Sequence, residues 1–164
     1  MPSVIENINN FLETGKKLVV FAHHKFVIEQ LMNEYKDIAV SLTGETSMEN
    51  RQKAVDDFQH KDNIKLFIGN IQAAGVGITL TASSDVMFIE LPWTPSQLYQ
   101  AEDRLHRIGQ KNAVNVLYMT GENTIDIDIA ELIQKKAITI DAIIDGKQTS
   151  ELNIINDLIK KYIN

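Results

Sequence analysis

The sequence predicts an α/β fold of three layers, in which a mostly parallel central sheet is flanked by helices. Short apolar runs rich in β-branched residues alternate with segments of helical periodicity along the 164 residues. The apolar runs show no polar–apolar alternation, which is expected for strands covered on both faces. Alternation of strands with helices is typical of βαβ units, and these units build parallel sheets.

Five runs are predicted to be strands, and four longer segments between or before them are predicted to be helices. The strands are Leu18–Ala22, Ile38–Leu42, Lys65–Gly69, Asp85–Glu90 and Val114–Met119. The helices are Val4–Leu12, Lys25–Tyr35, Ser47–Phe58 and Pro95–Ile108. Ser47 is a candidate N-cap. Pro95 near a helix start and Gly109 at its end follow the usual asymmetry of these two residue types.

The C-terminal part predicts one further long helix and then a short appendage. Residues 125–144 are apolar-periodic, and residues 146–150 (GKQTS) are typical of a polar linker. We therefore expect a domain over 1–146 and a C-terminal helical extension over 147–164, which carries its own apolar stripe. The helices at the two ends of the chain either cap this core or dock onto parts of a longer protein.

Composition excludes several classes of protein. Sixteen Lys and Arg against 22 Asp and Glu give 16 − 22 = −6, whereas a free-standing nucleic-acid binder usually carries net positive charge. The absence of cysteine excludes disulfides and thiolate metal sites and is compatible with an intracellular protein. No apolar run is long enough to span a bilayer, and the N-terminal residues do not resemble a signal peptide, so no membrane partner is expected.

The sequence lacks the usual nucleotide-binding motifs. There is no G-x-x-x-x-G-K-[ST] loop, whose amides and lysine would cradle phosphates, and no G-x-G-x-x-G fingerprint. If phosphate chemistry is involved, the chain supplies only part of the site. It also has no G-x-S-x-G elbow and no cysteine nucleophile, which argues against a small self-contained α/β enzyme.

The most informative segment is residues 100–110, QAEDRLHRIGQ. On a helix, Gln100, Arg104 and Arg107 share one face at i, i+4 and i+7. Two rigidly held guanidiniums suit a γ-phosphoryl group, because their planar forks pair bidentately with its oxygens and stay charged. The alternative is a pair of surface charges, with Asp103 pairing Arg107. The neighbouring apolar face, expected to pack on the sheet, consists of Ala101, Leu105 and Ile108.

This segment resembles motif six of the Swi/Snf-type, helicase-like ATPases of superfamily two, and other segments are similar to further motifs in the same order. Residues 21–25 (FAHHK) look like motif four of the fork-remodelling, annealing-helicase branch, and residues 42–44 look like the next block. Residues 73–82 (AAGVGITLTA) look like motif five, and residues 91–95 (LPWTP) are similar to the link before motif six. The resemblance covers residues 18–146.

The resemblance implies the second RecA-like lobe of a DNA translocase, completed by an N-terminal RecA-like lobe of the same protein. Arg104 and Arg107 would then be catalytic arginine fingers that reach ATP and Mg²⁺ held by that other lobe, and Gln100 would help form the nucleotide-facing surface. The chain alone would bind neither ATP nor Mg²⁺ and would not turn over ATP. We expect a monomer, located in the nucleoid or the nucleus according to the organism.

Residues expected at the carboxyl edge of the sheet are candidates for binding double-stranded DNA or nucleotide. Gly75 and Gly77 allow close approach of a ligand to the backbone or simply form a tight turn. Arg51 is either a phosphate contact or a partner of an acidic neighbour. Adjacent histidines without a carboxylate at ligand spacing predict no metal site. The candidate DNA contacts are His23, His24, Lys25, Thr43, Gly44, Arg51, Gln72 and Ala73.

Three departures from the family pattern concern motif five. Ala73-Ala74-Gly75 stands where Ala-Gly-Gly is common, Gln72 where a basic residue is common, and Thr79 where Asn is frequent. These departures affect the DNA contacts more than the ATP role. The alternative function is a non-catalytic lobe that docks DNA or protein, and it predicts salt-sensitive DNA binding by this chain alone.

Overall fold

A computed structural model of the chain describes residues 1–72, 77–92 and 94–119. Residues Met1–Pro92 and Ser96–Met119 form one compact unit, and Trp93–Pro95 with Thr120–Asn164 form a second. The expected helix over 125–144, the linker at 146–150 and the domain boundary at 146/147 lie outside the described residues.

The first unit is built around a five-stranded sheet in which every described pairing is parallel. The strand order is β2-β3-β1-β4-β5, so β1 lies at the centre between β3 and β4. All five strands coincide with the predicted runs to within two residues at each end. They are β1 (Leu18–Ala22), β2 (Ala39–Leu42), β3 (Leu66–Asn70), β4 (Asp85–Phe88) and β5 (Asn115–Tyr118).

Four α-helices are described, and three of them match the sequence prediction closely. They are α1 (Pro2–Leu12), α2 (Lys25–Glu34), α3 (Met48–His60) and α4 (Pro95–Glu102). The predicted cap of α3 is confirmed, because the Ser47 side chain accepts a hydrogen bond from the Asn50 amide. The described residues contain no helix long and apolar enough to cross a membrane.

The prediction that α4 extends to Ile108 is wrong. The helix ends at Glu102, and the following amides bond to carbonyls fewer residues back: Arg104 to Ala101, and Arg107 to Leu105. Each such step tightens the backbone beyond the α-helical geometry, so residues 103–109 form consecutive turns. Gly109 does end this segment as predicted, and its φ of 108° explains why glycine stands there.

Apolar side chains cover both faces of the sheet, which confirms the layered arrangement. On one face Leu66 and Ile68 belong to a core cluster that also contains Val4 and Ile8 of α1 and Ile28 of α2. Because side chains alternate along a strand, residue 67 points to the opposite face. There the Phe67 ring lies 5.6 Å from that of Phe58, so α3 packs on this second face.

The central strand is completely enclosed, and a glycine on its neighbour makes room for it. Every residue of β1 is buried. The Phe21 ring stacks on that of Phe88 at 5.6 Å, and a Cβ built on Gly69 would lie 2.9 Å from Phe21. The carboxyl ends of β1 and β4 are therefore fixed firmly side by side. The loops that follow them carry several of the candidate site residues.

Candidate functional site

The two predicted arginine fingers lie in the turns after α4 and not on a helical face. The argument that Gln100, Arg104 and Arg107 share one helix face is therefore wrong, because α4 ends at Glu102. Burial is the main cause that lowers the pKa of Arg104, and the positive charge of Arg107 lowers it further, so the two guanidiniums still influence each other. Gln100 remains on the helix and is exposed.

Two of the three apolar residues of this segment pack as predicted. Ala101 and Leu105 are fully buried. Ile108 is fully exposed, so the prediction that it packs on the sheet is wrong. It lies in the last turn of the segment, where the backbone is no longer helical and helical periodicity does not predict the direction of a side chain.

Arg104 is a buried cation. It is 9% exposed, and its Nε has no hydrogen-bond partner among the residues that the structure describes. Burial lowers the pKa of Arg104 from its ordinary value, nearby Arg107 lowers it further, and Asp103 opposes both effects. A guanidinium with an unsatisfied donor in a desolvated position costs stability, so this arrangement favours an acceptor that the described residues do not place at Nε.

Arg107 is half-buried and is held by a residue of the predicted motif five. Its Nη1 donates a hydrogen bond to Thr79 Oγ1 at 3.2 Å. Within the part of the chain that the structure describes, no other partner contacts this guanidinium. Because a guanidinium has five N–H donors, the rest of its fork stays available for a ligand.

The segment that carries Thr79 is fastened from two sides. From α3, Gln59 donates to the Thr79 carbonyl at 3.2 Å and accepts from the Ala82 amide at 2.6 Å. From the arginine segment, the Arg104 carbonyl accepts from the Leu80 amide at 2.8 Å, and Gln110 donates to the Ser83 carbonyl at 2.7 Å. Motifs five and six therefore form one hydrogen-bonded unit.

A cleft lies between the start of α3 and the end of motif five. It has a volume of about 310 Å³ and an apolar and polar lining that includes Arg51, Gly77 and Thr79. Gly77 has a φ of 39°, and no atom lies within 4 Å of the position that a Cβ would take. The backbone at Gly77 therefore has free space beside it, and its positive φ also suits the tight turn that the sequence left as the alternative.

His23 and His24 meet a carboxylate at the ends of β1 and β4. The amides of both residues donate to Glu90 Oε2, at 2.7 and 2.8 Å. His24 Nδ1 lies 2.5 Å from Glu90 Oε1. No carboxylate stands at ligand spacing from these histidines in the sequence, but the neighbouring strand β4 brings Glu90 to His24 across 66 positions of sequence. Glu90 occupies the amide positions at the start of α2 that a phosphate would use.

Lys25 is also paired with an acid. Its Nζ lies 2.7 Å from Glu45 Oε2, and both side chains are exposed. Such surface pairs contribute little to stability and separate readily. No group of three or more His, Cys, Asp or Glu in the described ranges is arranged to hold a metal ion.

The Thr43-Gly44 loop after β2 is organised by Arg51. Arg51 Nε donates to the Thr46 carbonyl at 2.7 Å, and Nη2 donates to the carbonyls of Thr43 and Gly44 at 3.2 and 3.1 Å. The Thr43 amide is occupied by Thr46 Oγ1. Of the two interpretations of Arg51, pairing with an acid is not observed among the described residues. Gly44 is exposed, and no atom lies within 4 Å of the position that a Cβ would take there.

Asn70 is a site residue that the sequence argument missed. At the end of β3 its side chain donates to the His23 carbonyl at 2.7 Å and accepts from the Gln72 amide at 2.9 Å. It thereby joins the start of motif five to motif four. Gln72 itself is exposed. The predicted contacts Ala73 and Gly75 lie outside the described residues, as does Trp93.

Glu90 makes the stability of the folded domain depend on pH. Burial raises the pKa of its carboxyl, but the hydrogen bonds from His24 and His23 outweigh this effect, so the pKa lies below its ordinary value. A carboxyl whose pKa is lower in the folded state stabilises the fold above the unfolded-state pKa. That contribution is lost as the pH falls through the folded-state pKa.

We expect Glu90→Gln to lower the free energy of unfolding at neutral pH by about 1 kcal/mol, because the charge-assisted hydrogen bonds from His23 and His24 are weakened. The difference from wild type should shrink as the pH falls below about 4, where the unfolded carboxyl becomes protonated, and vanish below the lower pKa of the folded state. Urea unfolding at several pH values measures it. The control is Glu49→Gln, an exposed acid in the first turn of α3. A pH-independent difference, or an equal one in the control, would contradict the assignment.

Comparison with known proteins assigns the family. A family model described as the helicase conserved C-terminal domain matches residues 3–109. A SWI/SNF-related matrix-associated actin-dependent regulator of chromatin subfamily A-like protein 1 from Xenopus tropicalis is 41% identical over 138 residues, which are 82% of this chain and 15% of that protein. The human DNA annealing helicase and endonuclease ZRANB3 is 36% identical over 135 residues, 80% of this chain and 12% of that protein.

A solved structure supports the fold. The C-terminal part of the Fun30 ATPase domain superposes with a TM-score of 0.73 at 23% identity, and the match covers 93% of this chain and 46% of that one. The chain thus spans a small part of the length of the relatives that it matches, and the family model extends over Arg104 and Arg107. It belongs to the helicase conserved C-terminal domain family, and its relatives include a SWI/SNF-related protein and a DNA annealing helicase.

Proposed function

We propose that the chain is the C-terminal motor lobe of an ATP-dependent double-stranded DNA translocase. It supplies Arg104 and Arg107 to ATP that is bound on an N-terminal RecA-like lobe of the same protein. The observation that carries this proposal is the arginine segment. Among the residues that the structure describes, the buried Arg104 has one donor without a partner, and the half-buried Arg107 makes a single side-chain hydrogen bond.

The donor set fits a nucleotide polyphosphate. Planar guanidiniums pair bidentately with phosphate oxygens, and they stabilise charge that develops on a transferred phosphoryl group. ATP with Mg²⁺, when bound, supplies the phosphoanhydride bond whose hydrolysis drives the motor. The chain's own part is to hold two fixed positive charges in a desolvated setting, where electrostatic stabilisation is strongest.

The carboxyl edge of the sheet is proposed to grip the DNA backbone. The carboxyl ends of β1 and β2 are at the same edge of the parallel sheet. The loops after them carry His23, His24, Thr43 and Gly44, and Lys25 is the first residue of α2. Contacts of this kind position a duplex without reading its sequence. Because Glu90 and Glu45 occupy donors at this edge, we expect the chain alone to bind DNA weakly.

The weak grip argues against a stand-alone docking lobe. The net charge of −6 repels DNA, and the basic side chain of Lys25 is already paired with Glu45. A motor lobe can have this unfavourable charge because the N-terminal lobe also contacts the DNA. We therefore propose that the protein that binds DNA inside the cell contains both lobes.

The test measures ATP hydrolysis by the chain alone and by the protein that carries both lobes, each with and without duplex DNA. We expect no turnover by the chain alone and DNA-stimulated turnover by the two-lobe protein. Titration of labelled duplex against the chain alone completes the test. Tight, salt-sensitive binding by the chain together with an inactive two-lobe protein would favour the docking function instead.

A further inference from the structure

We propose that Thr79 is a positioning residue for Arg107, whose hydroxyl fixes the guanidinium and links it to the cleft beside Arg51. This inference rests on the proposed function, since it assigns a role within the same ATP site. Thr79 does not touch the nucleotide in this proposal. It acts through the orientation of Arg107.

The first support is the contact itself. Thr79 Oγ1 accepts from Arg107 Nη1 at 3.2 Å, across 28 positions of sequence. Arg107 follows a backbone that has left the helix, so helical geometry does not fix its side chain. A long arginine side chain has considerable rotamer freedom. The hydrogen bond to Thr79 removes much of this freedom before a ligand binds.

The second support is that the anchor is rigid. The Thr79 carbonyl accepts from Gln59 Nε2 at 3.2 Å, and the neighbouring Leu80 amide donates to the Arg104 carbonyl at 2.8 Å. Leu80 is fully buried. The backbone that carries the Thr79 hydroxyl is therefore held by α3 on one side and by the arginine segment on the other. A hydroxyl on a mobile loop would give no such preorganisation.

The third support is the position of Thr79 relative to the cleft. Thr79 lines the cleft of about 310 Å³ together with Arg51 and Gly77. A ligand that displaces the backbone near Gly77 would move Thr79, which is two residues further on, and would thereby move Arg107. The same residue thus joins the cleft to the guanidinium.

The test compares Thr79→Val, which keeps the shape but loses the hydroxyl, with Thr79→Ser, which keeps the hydroxyl. In the two-lobe protein we expect Thr79→Val to lower kcat for DNA-stimulated hydrolysis by roughly tenfold, with little change in KM for ATP, because misorientation of a catalytic group affects mainly the chemical step. Thr79→Ser should restore kcat. In an Arg107→Ala background, Thr79→Val should cause no further loss.

A second readout needs no nucleotide. In the chain alone, nuclear magnetic resonance of the Arg107 side chain should show distinct Nη1 and Nη2 signals in wild type and Thr79→Ser. In Thr79→Val these signals should merge through faster rotation. The matched control is Thr81→Val, since the Thr81 hydroxyl contacts Gln59 and not Arg107.

The outcomes separate this inference from the proposed function. Loss of activity in Arg107→Ala with full activity in Thr79→Val would overturn the role of Thr79 alone. Full activity in Arg107→Ala would overturn the proposed function. An equal kcat loss in Thr79→Val and Thr81→Val, with unchanged Arg107 signals, would show a general loosening of the loop and would also overturn the inference.

Discussion

Arg107→Ala is expected to lower DNA-stimulated ATP hydrolysis by the two-lobe protein about 10³-fold or more, the range for loss of an arginine finger. The reason is that its guanidinium is half-buried, fixed by Thr79 and otherwise available for a phosphoryl group. The loss should be in kcat, because the charge it stabilises develops in the transition state. Steady-state kinetics with saturating DNA measures it.

Arg107→Lys is the matched control. It keeps the positive charge but loses the planar fork that pairs bidentately with phosphate oxygens. We therefore expect kcat to recover partly from the level of Arg107→Ala and to stay well below that of wild type. Melting of the chain should change little in both variants, because Arg107 makes a single described side-chain hydrogen bond. If the fraction of folded protein fell by the same factor as kcat, the loss of activity would reflect unfolding, and the catalytic role of Arg107 would lose its support.

Arg104→Met is expected to separate stability from activity. Removal of a buried cation with an unsatisfied Nε should leave the free energy of unfolding of the chain unchanged or raise it by about 1 kcal/mol, because methionine fills much of the same space without the desolvation cost. The same change should lower hydrolysis by the two-lobe protein about 10²-fold or more, because a fixed positive charge is lost at the ATP site.

Arg104→Lys tests whether charge alone suffices, and we expect it to remain well below wild type because lysine has no planar fork. Urea unfolding of the chain and hydrolysis by the two-lobe protein give the two readouts. A large loss of stability in Arg104→Met would mean that the charge holds the fold together. The assignment of Arg104 to the nucleotide would then lose its basis.

The sheet could be predicted from the sequence because its signal is local. The central strand β1 is an uninterrupted apolar run, and every residue of β1 and β4 is buried. The edge strands β2 and β5 also contain polar or exposed positions, but their apolar residues still follow one another in the sequence. The start of α3 was equally local, since Ser47 contacts the Asn50 amide three residues away. Structure that depends on contacts between residues close in the sequence can be predicted from the sequence.

The end of α4 could not be predicted in this way. Its apolar spacing continues through Leu105 to Ile108, and periodicity alone gives no reason to stop at Glu102. What ends the helix is tertiary: the Arg104 carbonyl accepts from Leu80, and Tyr118 of β5 donates to Glu102 at 2.8 Å. Such contacts outweigh intrinsic helix preference.

The partners of the candidate site residues were the least predictable feature. Glu90 meets His24 only because β1 and β4 are neighbours in the sheet, and Asn70 meets His23 because β3 is the other neighbour. The motif order placed these segments at one edge but not their contacts. A carboxylate at the end of β4 was the available signal for Glu90, once the strand order was known.

The central claim is that the arginine segment completes an ATP site owned by another lobe. A structure of the two-lobe protein with ADP and a phosphoryl transition-state mimic tests it most directly. The account predicts the Arg107 and Arg104 guanidiniums within hydrogen-bonding distance of the mimic, with Arg107 Nη1 still on Thr79. A mimic bound without either guanidinium, with Arg104 still buried and its Nε still unpartnered, would contradict it.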